Sequence, residues 1–168
     1  IVHRLDKDTS GVMVVAKNQK TFLWLKNQFQ THQVTKRYLA LVNGSPKSEE
    51  GKIELNIARS KTDPTKNVVV NSKNIGHPQG RASPSAGRTA LTYWRVIRKY
   101  PDHTLIETTP KTGRMHQIRV HFKALHHPVI GDKLYAVKKG SLLGFHSLAI
   151  HAREISFRKA PLLSLLLL

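Results

Sequence analysis

The chain has 168 residues, with 28 Lys and Arg against 10 Asp and Glu, giving a formal charge of +18. That length suits one domain, and 39% hydrophobic residues are enough for a core, which excludes a wholly disordered basic tail. The lack of cysteine removes disulfides, thiolate zinc sites and cysteine nucleophiles, and no apolar run nears the roughly 20 residues that span a bilayer.

The chain opens on Ile1-Val2 without an initiator Met or a signal-peptide pattern, as expected of a piece of a longer protein. Val12–Ala16 is short, apolar and β-rich, so it is predicted as a buried strand. Phe22, Leu25 and Phe29 recur at helical spacing and predict a helix over Thr21–Thr31. Lys36–Val42 alternates as a strand buried on both faces or nearly so, and Ile53–Ile57 and Val68–Val70 read as two more. Asn71–Gly87, rich in Gly, Pro and Ser, is predicted as a long surface loop. Strands follow over Thr89–Ile97 and Thr104–Thr108, joined by a hairpin corner at Tyr100-Pro101-Asp102. Met115, Ile118, Phe122 and Leu125 predict a short amphipathic helix over Met115–Leu125, with His116, Arg119 and Lys123 on its other side. A final alternating run, Ala149–Phe157, closes the sheet, and an apolar tail, Leu162–Leu168, is expected to stand exposed. Many strands with two helices make the expected class α+β, one domain over 1–161 with 162–168 as an appendage of no assigned role.

A positive surplus of this size repels itself unless a polyanion screens it, so nucleic acid is the expected partner class. The basic residues are spread along the chain and do not form one amphipathic helix, which speaks against a membrane surface. Among ten histidines, the pairs His126-His127 and His116 with His121 lack nearby carboxylates, so no metal is expected. No phosphate-binding Gly-rich loop and no G-x-S-x-G elbow occurs.

Two segments stand out. His3-Arg4-Leu5-Asp6-Lys7-Asp8-Thr9-Ser10-Gly11 packs carboxylates and hydroxyls into a turn that ends in glycine, just before a strand. Taken alone, it is also compatible with an ordinary Asx-type turn. Thr112-Gly113-Arg114-Met115-His116-Gln117-Ile118-Arg119 crowds two Arg, a His and a Gln at the start of a helix, where a solvated basic turn is the simpler alternative.

Together the two segments resemble the RluA-type pseudouridine synthases of ribosomal and transfer RNA. His3–Gly11 is similar to that family's H-R-L-D-x-x-T-S-G signature, and Thr112–Arg119 with His121 to its T-G-R-x-H-Q-[IL]-R-x-H block. Lys36–Gly44, His127–Tyr135 and Leu148–Phe157 resemble three further blocks, K-x-Y-x-A-x-V-x-G, H-P-[IL]-x-G-D-x-x-Y and L-x-L-H-A-x-x-[IL]-x-F, all in family order. His126 stands where the family usually has Gly, and Asp8 falls at a variable position.

The resemblance implies a mixed, largely antiparallel sheet with flanking helices, lacking the family's N-terminal K-P-x-G strand. It implies an isomerase that turns uridine into pseudouridine in a ribosomal or transfer RNA stem-loop. Asp6 takes the place of the catalytic aspartate, with Tyr38 and Arg119 beside it. Nothing is gained or lost in that isomerisation, so no cofactor is expected. An ionised carboxylate can attack C1′ as a nucleophile or take the C2′ proton, and the sequence does not choose between them. Burial disfavours such a carboxylate, and the arginine at Arg119 is expected to offset that and orient the attacking oxygen through a bidentate pair. Tyr38 would offer a ring face to the flipped uracil and a hydroxyl for proton movement. Arg4 and Arg114 would hold flanking phosphates, with His116, Gln117 and Ile118 completing the RNA contacts. A monomer in the cytoplasm, or in an organelle if a targeting segment precedes Ile1, completes the expectation. The rival is a non-catalytic or decayed RNA-binding module, against which the joint presence of Asp6, Tyr38 and Arg119 argues.

Overall fold

The computed structural model describes residues 1–70, 87–136, 147–158 and the backbone of 165–167. The N-terminal loop leads into β1 (Ser10–Gly11) and β2 (Val14–Ala16). Gly11 has φ +116, and a Cβ there would lie 2.2 Å from the Ala152 carbonyl oxygen, so only glycine lets the loop dock. Next comes α1 (Gln19–Gln30), which starts earlier than the expected Thr21 because the Asn18 side chain caps it, accepting the Thr21 N–H at 2.9 Å. The strands β3 (Thr35–Asn43), β4 (Glu50–Arg59), β5 (Asn67–Val70), β6 (Arg88–Lys99) and β7 (His103–Pro110) follow. Then come α2 (Gln117–Ala124), β8 (Ile150–Ser156) and β9 (Leu165–Leu167). Apart from Gly87, the predicted 71–87 loop lies outside the described residues.

Seven strands make one sheet in the order β1-β8-β3-β7-β6-β4-β5, antiparallel throughout except for the parallel β1–β8 pair. This is the mixed, largely antiparallel α+β architecture that the sequence led us to expect. Alternation sends Ala40, Val42, Ile53, Trp94, Ile106 and Ile150 to one face, where they pack with Ile118 and Phe122 of α2. Trp94 meets Phe122 edge-on at 6.0 Å. Burying a side chain such as Phe122 contributes about 1.5–3 kcal/mol. β3 is less enclosed than expected: Ala40 and Val42 are buried, but Leu39 and Leu41 on the opposite face are only half-buried.

Two expectations need correction. The second helix does not begin at Met115: His116 adopts a left-handed conformation (φ 56, ψ 23), and only from Gln117 does the chain turn helical. Met115 is consequently 38% exposed instead of joining the core. Of the polar side of α2, Lys123 is exposed, whereas Gln117 through Phe122 are all buried and Gln117, Arg119 and His121 find partners inside the protein. Residues Leu165–Leu167 of the leucine-rich tail do not stand free. They pair antiparallel with β2, Val14 opposite Leu167, and so satisfy a strand edge that the main sheet leaves open. No helix among the described residues is long and apolar enough to cross a membrane.

Candidate active site

The catalytic-loop candidate is held at three points. The Asp6 carbonyl accepts the Thr9 N–H at 2.9 Å, closing a turn over Asp6-Lys7-Asp8-Thr9. His3 Nε2 accepts the Val14 N–H at 3.0 Å while its ring stacks on Phe29 of α1 at 4.9 Å. Burial, then the nearby Lys36 charge and the chain's own amino terminus, lower the His3 pKa, which suits a neutral ring acting as acceptor. Downstream, the Val12 N–H reaches the Ala152 carbonyl at 2.8 Å. The loop thus lies across the end of β8 and delivers the Asp6 side chain, 22% exposed, into a cavity of about 490 Å³.

Across that cavity α2 presents Arg119. Its guanidinium is 9% exposed and forms a bidentate pair with Asp132, Nε to Oδ2 at 2.8 Å and Nη2 to Oδ1 at 2.8 Å. The remaining Nη1 reaches Asp6 Oδ2 at 3.5 Å. The bidentate partner expected for Arg119 was Asp6; the structure assigns that role to Asp132 and leaves Asp6 a single, longer contact. Burial opposes the Arg119 charge most strongly, but the hydrogen bonds and charge of Asp132, followed by the charge of Asp6, outweigh it and raise its pKa. The guanidinium also lies 5.0 Å over the Tyr135 ring.

Asp132 is placed by a backbone that sequence spacing alone could not reveal. The preceding segment is stitched to β3 through Asn43 N–H to the Pro128 carbonyl and Ile130 N–H to the Leu41 carbonyl, both at 2.9 Å. Gly131, at φ +72, then passes so close to Ser147 that a Cβ would lie 1.9 Å from its carbonyl oxygen. Asp132 Oδ1 also accepts the backbone N–H groups of Leu134 and Tyr135, at 2.9 and 3.1 Å, so every direction around this fully buried carboxylate is fixed. The Tyr135 hydroxyl accepts the Asn67 N–H at 2.8 Å and pairs with His116 Nδ1 at 2.9 Å. Burial first, and the charges of Arg119 and Arg4 after it, depress the His116 pKa against the pull of Asp6 and Asp132. Both Asp132 and Tyr135 sit in the His127–Tyr135 block, but nothing local in the sequence tied that block to Arg119.

The other candidates divide into two groups. Arg4, Tyr38, Arg114, His116 and Ile118 all line the cavity with Asp6 and Arg119, as does Lys36, which the sequence did not single out. Tyr38 comes from β3, and burial first, then the charge of Asp6, pushes its pKa up to about 12. Ile118 contributes to both the core and the cavity wall. Gln117, though also at the cavity, is 5% exposed, and its carboxamide is fully engaged within the fold. Its oxygen accepts from Thr112 Oγ1 at 2.7 Å and the Arg114 N–H at 3.0 Å; its nitrogen donates to the Leu91 carbonyl at 3.0 Å and Thr92 Oγ1 at 2.9 Å. It joins the Thr112-Gly113-Arg114 turn to β6. Beside it, His121 Nδ1 pairs with Thr92 Oγ1 at 3.0 Å while burial lowers its pKa to about 4. Among the described residues no cluster of His, Asp and Glu fit to hold a metal ion occurs.

The family profile described as RNA pseudouridylate synthase matches residues 1–124. The chain is 41% identical over 165 residues to a ribosomal large subunit pseudouridine synthase D of Borreliella burgdorferi, covering 95% of this chain and 47% of that protein. It is 39% identical over 140 residues to a ribosomal large subunit pseudouridine synthase C of Rickettsia conorii, covering 83% of this chain and 42% of the relative. The solved structure of human RNA pseudouridylate synthase domain containing 1 superposes with a TM-score of 0.75 at 30% identity, over 90% of this chain and 60% of that one. The chain spans about half the length of the curated relatives it matches. On the profile match and these identities, with the aspartate loop and the buried arginine facing one cavity, the chain belongs to the RNA pseudouridylate synthase family, in its RluA-type branch.

Proposed function

We propose that this chain isomerises specific uridines of ribosomal or transfer RNA to pseudouridine, with Asp6 as the catalytic carboxylate and the target base flipped out of a stem-loop. The observation that carries the reading is the Asp6–Arg119 contact at 3.5 Å inside a cavity of about 490 Å³, within the size range of small-molecule sites. A uridine stacked in RNA cannot bring its glycosidic bond to a carboxylate that lines a cavity, so extrusion of the nucleotide is part of the proposal.

In this site the Asp132 clamp engages Nε and Nη2 of Arg119 and leaves Nη1 to hold Asp6 aimed at the sugar, whether its oxygen attacks C1′ or removes the C2′ proton. Breaking the N1–C1′ bond frees the uracil to turn; C5 then bonds to C1′ and gives up its proton while N1 takes one up, so atoms balance without a co-reactant. With its pKa near 12, Tyr38 keeps its proton at neutral pH, so it acts as a ring face and an O–H donor and not as a phenolate base. Arg4 and Arg114, which line the cavity, would hold flanking phosphates, and His116 and Ile118 of the same lining would bound the base. Gln117 serves as a positioning residue for the turn that carries Arg114.

The test pairs binding with turnover. Incubated with ribosomal or transfer RNA, the chain is expected to form pseudouridine, detected by chemical mapping. Asp6→Asn is expected to retain RNA affinity while losing pseudouridine formation by more than about a thousandfold. Turnover by the Asn variant would remove Asp6 from the chemistry; binding without turnover by the parent chain would favour a non-catalytic module.

A further inference from the structure

Lys36 has no place in the mechanism above, yet its surroundings are unusual for a lysine. It lies on β3 on the same face as Tyr38 and lines the cavity, half-buried. Its Nζ hangs beside the Thr112-Gly113-Arg114 turn, so close that a Cβ on Gly113 would lie 3.7 Å from it. On the other side it is near enough to His3 to oppose protonation of that ring. No carboxylate pairs with it among the described residues, although Arg37, next in sequence but on the outward face, is paired with Glu154. Burial lowers the Lys36 pKa, the mark of an ammonium that has lost water without gaining a counter-charge.

The described cavity lining carries Arg4, Lys36, Arg114 and Arg119 against the single carboxylate of Asp6. Arg119 is already compensated by Asp132. The uracil and ribose of a bound uridine are neutral, so the anion that could compensate Lys36 is the phosphodiester attached to that nucleotide. We propose that Lys36 is a substrate-contacting residue whose Nζ binds the phosphodiester of the nucleotide that enters the cavity, gripping it between β3 and the Thr112–Arg114 turn. The proposal rests on the reading of the cavity as a uridine site.

The test uses the full chain and a uridine-bearing RNA stem-loop, with affinity followed by fluorescence anisotropy across a salt series and pseudouridine formation followed in parallel. Lys36→Met is expected to weaken binding about tenfold, as for loss of one charge-assisted hydrogen bond. It should also flatten the plot of log affinity against log salt by about one, as when one phosphate is no longer neutralised. The rate at saturating RNA should change much less. Lys36→Arg should restore both affinity and slope. A single neutral methylphosphonate, placed in turn 5′ or 3′ of the uridine, should at one of the two positions weaken binding by the parent chain while costing Lys36→Met much less. An unchanged slope in Lys36→Met, failure of Lys36→Arg to rescue, or additive losses with methylphosphonate at both positions each overturn the proposal. If the parent chain forms no pseudouridine while Lys36→Met still flattens the slope, the isomerase reading fails and the phosphate contact stands. Normal turnover with an unaltered slope in Lys36→Met overturns the phosphate contact and leaves the isomerase reading standing.

Discussion

On the outward face of the sheet, Arg37 reaches Glu154 at 3.3 Å, Lys52 reaches Glu54 at 3.2 Å, and Glu107 holds Arg95 at 2.9 Å and Arg153 at 3.4 Å. On the face that carries the cavity, Arg4, Lys36 and Arg114 have no carboxylate partner among the described residues, and the acids present, Asp6 and Asp132, both serve Arg119. The same strands supply both faces, so the difference lies in where few acids were placed among many bases. On the outward face each of these cations has a carboxylate partner. The cavity face keeps its positive charge unpaired, as the proposed RNA substrate requires, and at its centre is the buried ion pair of Arg119 with Asp132 and Asp6.

The largest effect that would break this contrast comes from the centre of the cavity face. Asp132→Ala should leave the Arg119 guanidinium buried and unclamped, which costs about 3–5 kcal/mol of stability for a broken buried pair. It should also depress pseudouridine formation severely even under conditions where the variant is folded. Chemical denaturation together with single-turnover assays checks both, and a stable, active variant would show that Asp6 alone suffices to hold Arg119.

A second prediction concerns acid. His121 is fully buried and its folded-state pKa, about 4, lies below the ordinary 6.5, so the unfolded chain takes up its proton first. Stability contributed by the neutral ring is therefore complete above about pH 6.5, is lost as pH falls toward 4, and changes no further below that. The loss is on the order of 3 kcal/mol. Replacing His121 by Gln should flatten that part of the stability profile, measured by denaturant unfolding at stepped pH; an unchanged slope would mean another group governs it.

Smaller effects sharpen the comparison between faces. Arg114→Ala should weaken RNA binding and lower the salt slope by about one. Arg37→Ala removes an equally basic residue from the outward face, where its pair with Glu154 is almost half exposed. It should alter stability by less than about 1 kcal/mol and leave both RNA affinity and slope as they were. Equal responses from the two arginines would dissolve the distinction between the faces.

Periodicity located most strands and both helices because alternation and helical spacing are written locally. The residues that broke those patterns were governed by contacts the sequence could not display. Asn18 caps α1 with its side chain and moves the start of the helix forward. His116 abandons the helical pattern that includes Met115, and its ring is tied to Tyr135, which is also held by Asn67. Gln117, which the resemblance placed among the RNA contacts, uses its carboxamide between β6 and the turn.

By itself the sequence determined the charge surplus, the α+β class, and through its ordered motif blocks the family and the aspartate and arginine around which the site is built. Only the tertiary structure decided which carboxylate clamps Arg119, which cations remain unpaired, and that part of the leucine tail closes the β2 edge. The physical reason is one of range. Strand and helix periods follow from backbone geometry over a few residues, whereas the partner of a buried charge is whichever group the packed chain brings within hydrogen-bonding distance. For Arg119 that group is Asp132, delivered by a glycine that can pass against Ser147 where no other residue would fit.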